Sequence, residues 1–467
     1  MRELKSHEFS LQPPASDVTP NPPNELRPVL DMKDVVLMIV GTVIGSGIFL
    51  VPSVVLRVVG NSVPMALLAW VAGGILSLLG ALTYGELSAM KPKTGGLYVY
   101  IRDGFGPFPA FLFGWTMFFV ISSGSIATLA VAFGNYLAEF VALSVWGTKA
   151  IAVLIILVIA VVNIRGTRQS ANLLNITTAV KVLTILVMCG ALLWQGRNPI
   201  ASLGVPGNQP GPSIFDLGFA MINVLWAYEG WQYATYIAGE TVNPQRIFPL
   251  AFLAGTLVLV GVYVCANLAY VSALGAAGVA SATRVAASAL GIVVSHGAAR
   301  MVALIVLISI FSAANSIMLN SPRVYYAMAK DGLFFHSLSQ VHPRFGTPAV
   351  AIAVAALWSA LLAVTGTFEQ LLTYVVFIGW IFYALAAASI FIYRKRLPDA
   401  LRPYRVPAYP VTPIVFVSAA AALVVSTMAT QPARSAIGLG IVLLGAPAYV
   451  FWRRSAFIKA SAVHYEN

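Results

Sequence analysis

Runs of roughly 20 apolar residues return about every 35 residues along nearly the whole chain, and this recurrence dominates what it can fold into. Each run is long enough to cross a bilayer as a helix. Barrel strands would instead alternate polar and apolar residues, and that alternation is missing. Composition agrees: 59% of the 467 residues are hydrophobic and only 9% charged, against roughly 25% charged in soluble domains. The expected fold class is an all-α integral membrane protein with about twelve transmembrane helices. The candidate spans are 35–58, 64–88, 108–140, 148–164, 171–195, 215–239, 249–275, 299–321, 349–366, 370–393, 411–429 and 434–452.

The opening residues differ. "LQPPASDVTPNPPNEL" is rich in proline and polar residues and lacks the zones of a signal peptide, so 1–32 reads as a disordered cytoplasmic tail. Residues 453–467 read as a second cytoplasmic tail. With the N-terminus inside, 21 of the 28 basic residues face the cytoplasm. Six, Arg57, Lys149, Arg197, Arg284, Arg300 and Arg434, fall outside, and Lys181 lies within a span. The net charge of +12 thus reports membrane orientation, and no nucleic-acid partner is needed to explain it. Cys189 and Cys265 both sit in apolar segments and suggest neither a disulfide framework nor a metal site. No cofactor is expected.

Two spans carry residues that weaken a helix in mid-membrane. The first contains "VGTVIGSGIFLVP", where Gly41 and Gly45 form a GxxxG spacing and Gly45, Ser46 and Gly47 follow in a run. Close helix packing accounts for two glycines; it accounts less well for the Gly-Ser-Gly run. The sixth span contains "LWAYEGWQY", with Glu229 and Gly230 at its middle. Interrupted helices at corresponding positions of oppositely oriented halves point to a transporter built from inverted repeats. A broken helix exposes N–H groups at the start of its second half and C=O groups at the end of its first. Such a site suits a zwitterion, and an α-amino acid is one.

"GTVIGSGIF" together with "WAYEGWQY...AGE...NPQRIFP" resembles the amino acid–polyamine–organocation (APC) superfamily. More narrowly it resembles the L-type amino acid transporter branch and its bacterial serine/threonine-exchanger relatives. "YGELSAMKPKTGGLYVYIRDGFG", "RVYYAMAKDG" and "RPYRVPAYPVTP" agree, and the likeness covers residues 33–452. It implies a LeuT-like 5+5 inverted repeat, with 33–195 and 196–395 as the two repeats and 396–452 as two peripheral helices. It also implies that the N–H groups of Ser46 and Gly47 hold the substrate carboxylate. Carbonyls of Val43, Trp226 and Glu229 would take the ammonium group beside Gly230, and Trp226 would close over the substrate. The Glu229 side chain has two readings: a proton acceptor or selectivity element, or a cap on the new helix start.

Lys181 lies ten residues past Ala171, about 15 Å along a helix and near the bilayer centre. Burial there costs roughly 2.5–3.5 kcal/mol, so a partner or cavity is expected. The resemblance implies that Lys181 replaces the sodium ion of sodium-coupled relatives, tethers helix 5 to the broken part of helix 1, and makes transport sodium-independent. Ser122 and Ser125 in "ISSGS", with Ser312 and Asn315 in "FSAANS", are further candidates for the pocket; bonding to neighbouring helices is the alternative. Glu86 and Glu240, at cytoplasmic span ends, are expected to be solvated, and Arg323 and Asp331 to shape a cytoplasmic gate.

The five histidines, His7, His296, His336, His342 and His464, fall in tails, loops or span ends, and neither HExxH nor a P-loop is present. The chain is therefore not expected to be an enzyme. The expected function is sodium-independent exchange of neutral L-amino acids by alternating access, in a bacterial inner membrane and without an ancillary subunit. A proton-coupled amino acid or polyamine permease is the alternative.

Overall fold

A computed structural model describes residues 26–196, 214–294, 297–366 and 368–453. Most of the two tails read from sequence, 1–25 and 454–467, lies outside the described residues, as do Arg197 and His296. The described chain is helical, and its β-structure is a single isolated bridge between Leu30 and Thr241.

The first span is two helices, α1 (Met32–Val43) and α2 (Gly47–Val58), bent by 50° at the break. Then come α3 (Val63–Met90), the short α4 (Leu97–Phe105), α5 (Pro107–Leu137), α6 (Val145–Arg165) and α7 (Thr167–Gln195). The sixth span is α8 (Ile214–Ala227), a turn, and a 3₁₀ segment Trp231–Glu240. It is followed by α9 (Pro244–Ser281), α10 (Val285–Val293), α11 (Ala298–Lys330), α12 (Ala349–Thr365), α13 (Phe368–Arg396), α14 (Val411–Thr430) and α15 (Ser435–Arg453). Among the described residues eight single helices are long and apolar enough to cross a bilayer, and the bent α1–α2 pair makes nine. The other three expected spans coincide with the interrupted α8 segment, with α12 at 17 residues, and with α13.

The apolar surface shows what surrounds the bundle. Leu154, Leu157, Val158 and Val161 of α6 are all more than 40% exposed, as are Ile176, Val180, Leu183 and Val187 of α7. Exposed apolar stripes of this extent suit hydrocarbon rather than water. The interior instead collects aromatic and polar groups; Trp70, Tyr84, Tyr228 and Tyr263 are fully buried. Within α5, a π-helical turn at Met117–Ile121 disturbs the hydrogen-bond ladder. The Met117 carbonyl accepts from Tyr325 OH (3.2 Å) and the Phe119 carbonyl from Trp358 Nε1 (3.0 Å).

Residues 26–31 precede α1 and run extended beneath the end of the sixth span. Val29 and Leu30 N–H both donate to Glu240 O (2.8 and 3.0 Å), and Val242 N–H donates back to Leu30 O (2.8 Å). The face carrying this strap is called the inner face below.

Candidate functional site

α1 opens with a reciprocal cap: Asp34 N–H donates to Asp31 Oδ1 (3.0 Å) and Asp31 N–H to Asp34 Oδ2 (2.9 Å). Its helical bonding ends at Ile44, whose N–H reaches Val40 O (3.0 Å). A tight turn follows, with Gly45 N–H donating to Val43 O (2.8 Å), and α2 restarts at Gly47. The break leaves carbonyls at the end of α1 and N–H groups at the start of α2 without intrahelical partners. Lys181, fully buried on α7, answers the first set: its Nζ donates to Gly41 O (2.6 Å) and Ile44 O (2.7 Å). A cation there also meets the negative end of the α1 dipole. α7 approaches this closely because residue 41 is glycine; a Cβ would sit 2.4 Å from Thr178 Oγ1. The missing Cβ of Gly45, by contrast, has no atom within 4 Å. The two glycines of the GxxxG pair therefore do different work, one packing and one bordering open space.

In the sixth span Gly230 adopts φ +127°, and a Cβ there would meet Thr42 Cγ2 at 3.0 Å. A Cβ on Gly47 would lie 3.0 Å from Ala227 Cβ. The two interrupted helices are thus in direct contact at their breaks. Tyr263 of α9 joins them, its hydroxyl lying 2.8 Å from Ala227 O and 3.2 Å from Val43 O. Gln232 Oε1 accepts from Gly230 N–H (3.1 Å), so the N–H at the break is met by Gln232 and not by Glu229. The Glu229 carboxylate turns the other way, its Oε1 accepting from Tyr383 OH of α13 (2.8 Å).

Val43, Ser46, Gly47, Ser125, Trp226, Glu229 and Gly230 come together around one cavity of about 100 Å³, room for several waters or a small solute. Thr42, Gly45, Thr128, Leu129, Tyr233, Ala313 and Ile317 also line it. The other sequence candidates bond elsewhere. Ser122 lies 3.8 Å from Met117 Sδ, and Ser312 Oγ lies 3.2 Å from Thr178 Oγ1. Asn315 Oδ1 accepts from Asn163 Nδ2 (2.9 Å) and from Ser170 OH (3.3 Å). Lys181 stands behind the wall, holding α1 in place.

An amino acid permease family model matches residues 30–446. The chain belongs to that family. It is 33% identical over 437 residues to the serine/threonine exchanger SteT of Bacillus subtilis (strain 168), covering 91% of this chain and 97% of the relative. The human b(0,+)-type amino acid transporter 1 is 31% identical, with 92% and 88% covered. The human cystine/glutamate transporter is also 31% identical, with 92% and 86% covered.

On its inner face the permease holds buried ion pairs, which corrects two expectations. Glu240 and Glu86 are not solvated; both are fully buried. Arg323 Nε donates to Glu240 Oε1 (2.7 Å), and Glu240 Oε2 accepts from Arg323 Nη2 (3.0 Å) and Thr167 OH (2.7 Å). Glu86 takes Arg394 Nε (2.9 Å) and Nη2 (2.6 Å) and the Val406 N–H (2.7 Å). These partners supply the opposite charge and hydrogen bonds that burial of a carboxylate requires. Asp34 accepts from Arg168 Nη1 (2.5 Å) and Asn175 Nδ2 (2.6 Å), and Asp331 from Arg102 Nη1 (2.6 Å) and Tyr98 OH (2.8 Å). On the opposite face Arg284 pairs with Glu139, both at least partly exposed.

Two glycines of the permease give separable predictions. Gly45→Ala points a methyl into the cavity without a clash, so it should raise KM for larger substrates and leave the melting temperature nearly unchanged. Gly230→Ala forces a side chain into a left-handed conformation against Thr42 and should destabilise by about 1–3 kcal/mol, visible as a lower melting temperature before any transport assay.

Proposed function

We propose that this permease exchanges small to medium neutral L-amino acids across a bacterial inner membrane by alternating access, without sodium. The observation that carries the reading is the facing pair of breaks around one small cavity. The N–H groups of Ser46 and Gly47 belong to the start of a helix and suit a carboxylate. The turn at Glu229 and the Trp226 carbonyl before it suit an ammonium group, while Ala227 O is taken by the Tyr263 hydroxyl and Trp226 O also receives the Glu229 N–H. Val43 O contributes less, since it already receives the Gly45 N–H and the Tyr263 hydroxyl. Trp226, partly exposed at the cavity, is placed to fold over the bound molecule.

Lys181 supports sodium independence. A protein-borne cation already occupies the carbonyls freed by the α1 break, so no diffusing cation is required there. In the positive-inside orientation the latched inner face is cytoplasmic, with both termini on that side, and spans 1–5 and 6–10 act as opposed repeats. The name of one relative, a serine/threonine exchanger, supports exchange.

The test is uptake of labelled amino acids into reconstituted vesicles. Uptake should need amino acid inside the vesicle, ignore replacement of sodium by choline, and be strongest for small neutral substrates. Uptake into empty vesicles driven by a pH gradient would instead establish proton coupling, the reading favoured by the Glu229 carboxylate beside the cavity and its Tyr383 partner. Glu229→Gln separates the two: under exchange its pH profile should match the parent's, whereas under proton coupling the pH dependence should vanish.

A further inference from the structure

A second cavity, of about 470 Å³, opens on the inner face and takes no part in the site above. Lys93, Thr94 and Arg102 reach it from the α3–α4 connection and α4, Gly239 from the end of the sixth span, and Lys330 and Asp331 from the end of α11. Its volume suits a ligand larger than the central cavity admits. Its charge is one-sided. Lys93, Arg102 and Lys330 line it against one carboxylate, Asp331, and Arg102 engages that one at 2.6 Å as well as the neighbouring Asp103 at 2.9 Å. Lys91 lies 4.0 Å from Asp103. Among the described residues no carboxylate lies within 4.0 Å of Lys93 or Lys330, and both lysines are exposed. Lys330 rests over the Tyr326 ring with Nζ 5.1 Å from its centroid, which fixes its stem beside the opening.

We propose that this cavity binds a phosphate-bearing anion, either a soluble phosphate compound or the headgroup of an anionic lipid. Phosphate oxygens supply the charge that Lys93 and Lys330 lack, and Arg102 offers a planar fork on the same wall. Basic pockets between spans at the cytoplasmic surface have this preference in general. The location gives occupancy a consequence. Gly239 adjoins Glu240, and the α11 turn carrying Lys330 begins at Arg323, so the ligand would bridge elements on either side of the buried Glu240–Arg323 latch. Occupancy therefore holds the inner face closed.

The experiment compares the full-length permease with Lys93→Gln/Lys330→Gln by thermal melting and by titration. Pyrophosphate is the soluble probe; nanodiscs of phosphatidylglycerol in phosphatidylcholine, against phosphatidylcholine alone, are the lipid probe. At least one probe should raise the melting temperature of the parent, less so as salt rises. The double variant should bind that probe about 30-fold more weakly, from roughly 1 kcal/mol per lysine removed. Which probe acts identifies the source of the phosphate. A double variant that exchanges amino acids normally in phosphatidylcholine vesicles confirms that its fold is intact. An equal response in parent and variant, or no response to either probe, overturns the proposal whatever the transport assay shows.

Discussion

Lys181→Ala should reduce amino acid exchange in reconstituted vesicles at least about 100-fold, the equivalent of losing two hydrogen bonds from a charged donor at roughly 1.5–3 kcal/mol each. The ammonium group is the bond between α7 and the elbow of the first span, on Gly41 O and Ile44 O. Without it those carbonyls face a void in a fully buried setting, and the α1 end loses the cation opposite its dipole. The first half-helix should then drift from the position that aligns the Ser46 and Gly47 N–H groups with the cavity. Counterflow normalised to inserted protein reads the loss, and the melting temperature should fall with it. Lys181→Ala protein that exchanges at the parental rate would remove both the tether and the argument for sodium independence.

Arg323→Ala should have the second large effect, because it strands the Glu240 carboxylate in a fully buried position. Breaking a buried pair by removing one partner costs about 3–5 kcal/mol. The loss falls on the state in which the inner face is shut, since Arg323 there joins the end of α11 to the end of the sixth span and to Thr167 of α7. A Thr94→Cys reporter, lining the inner cavity beside Gly239, with Cys189 and Cys265 replaced by serine, should be labelled by an impermeant maleimide at least about 10-fold faster from the inner side in Arg323→Ala. Combining Glu240→Leu with Arg323→Met should recover part of the lost stability, since a matched apolar pair carries no stranded charge. Labelling rates identical in parent and Arg323→Ala would show that the pair is not a latch.

What could be read in advance was whatever violates the rules of an apolar helix. Gly45, Ser46 and Gly47, and Glu229 beside Gly230, stand out because hydrocarbon tolerates few such residues. Lys181 stands out because a mid-membrane charge needs a partner. The chain places all of them at or immediately behind the two breaks. What could not be read were the residues that obey those rules. Tyr263 and Tyr383 are two of 18 tyrosines, ordinary in an apolar span until the fold sets one hydroxyl on Val43 and Ala227 and the other on Glu229. Gln232 sits two residues past a break and gives no sign that it meets the Gly230 N–H. Glu86 and Glu240 look solvated in sequence because the arginines that bury them lie 308 and 83 residues away. Hydroxyls such as Ser312 divide between pocket and packing only once helices are assembled, which is why Ser125 faces the cavity and Ser312 faces Thr178.

Tyr263 has one proton and two takers, Val43 on the first interrupted span and Ala227 on the sixth. One hydrogen divided between two carbonyls pins both elbows at the same depth in the fold, and neither can leave without giving up its share.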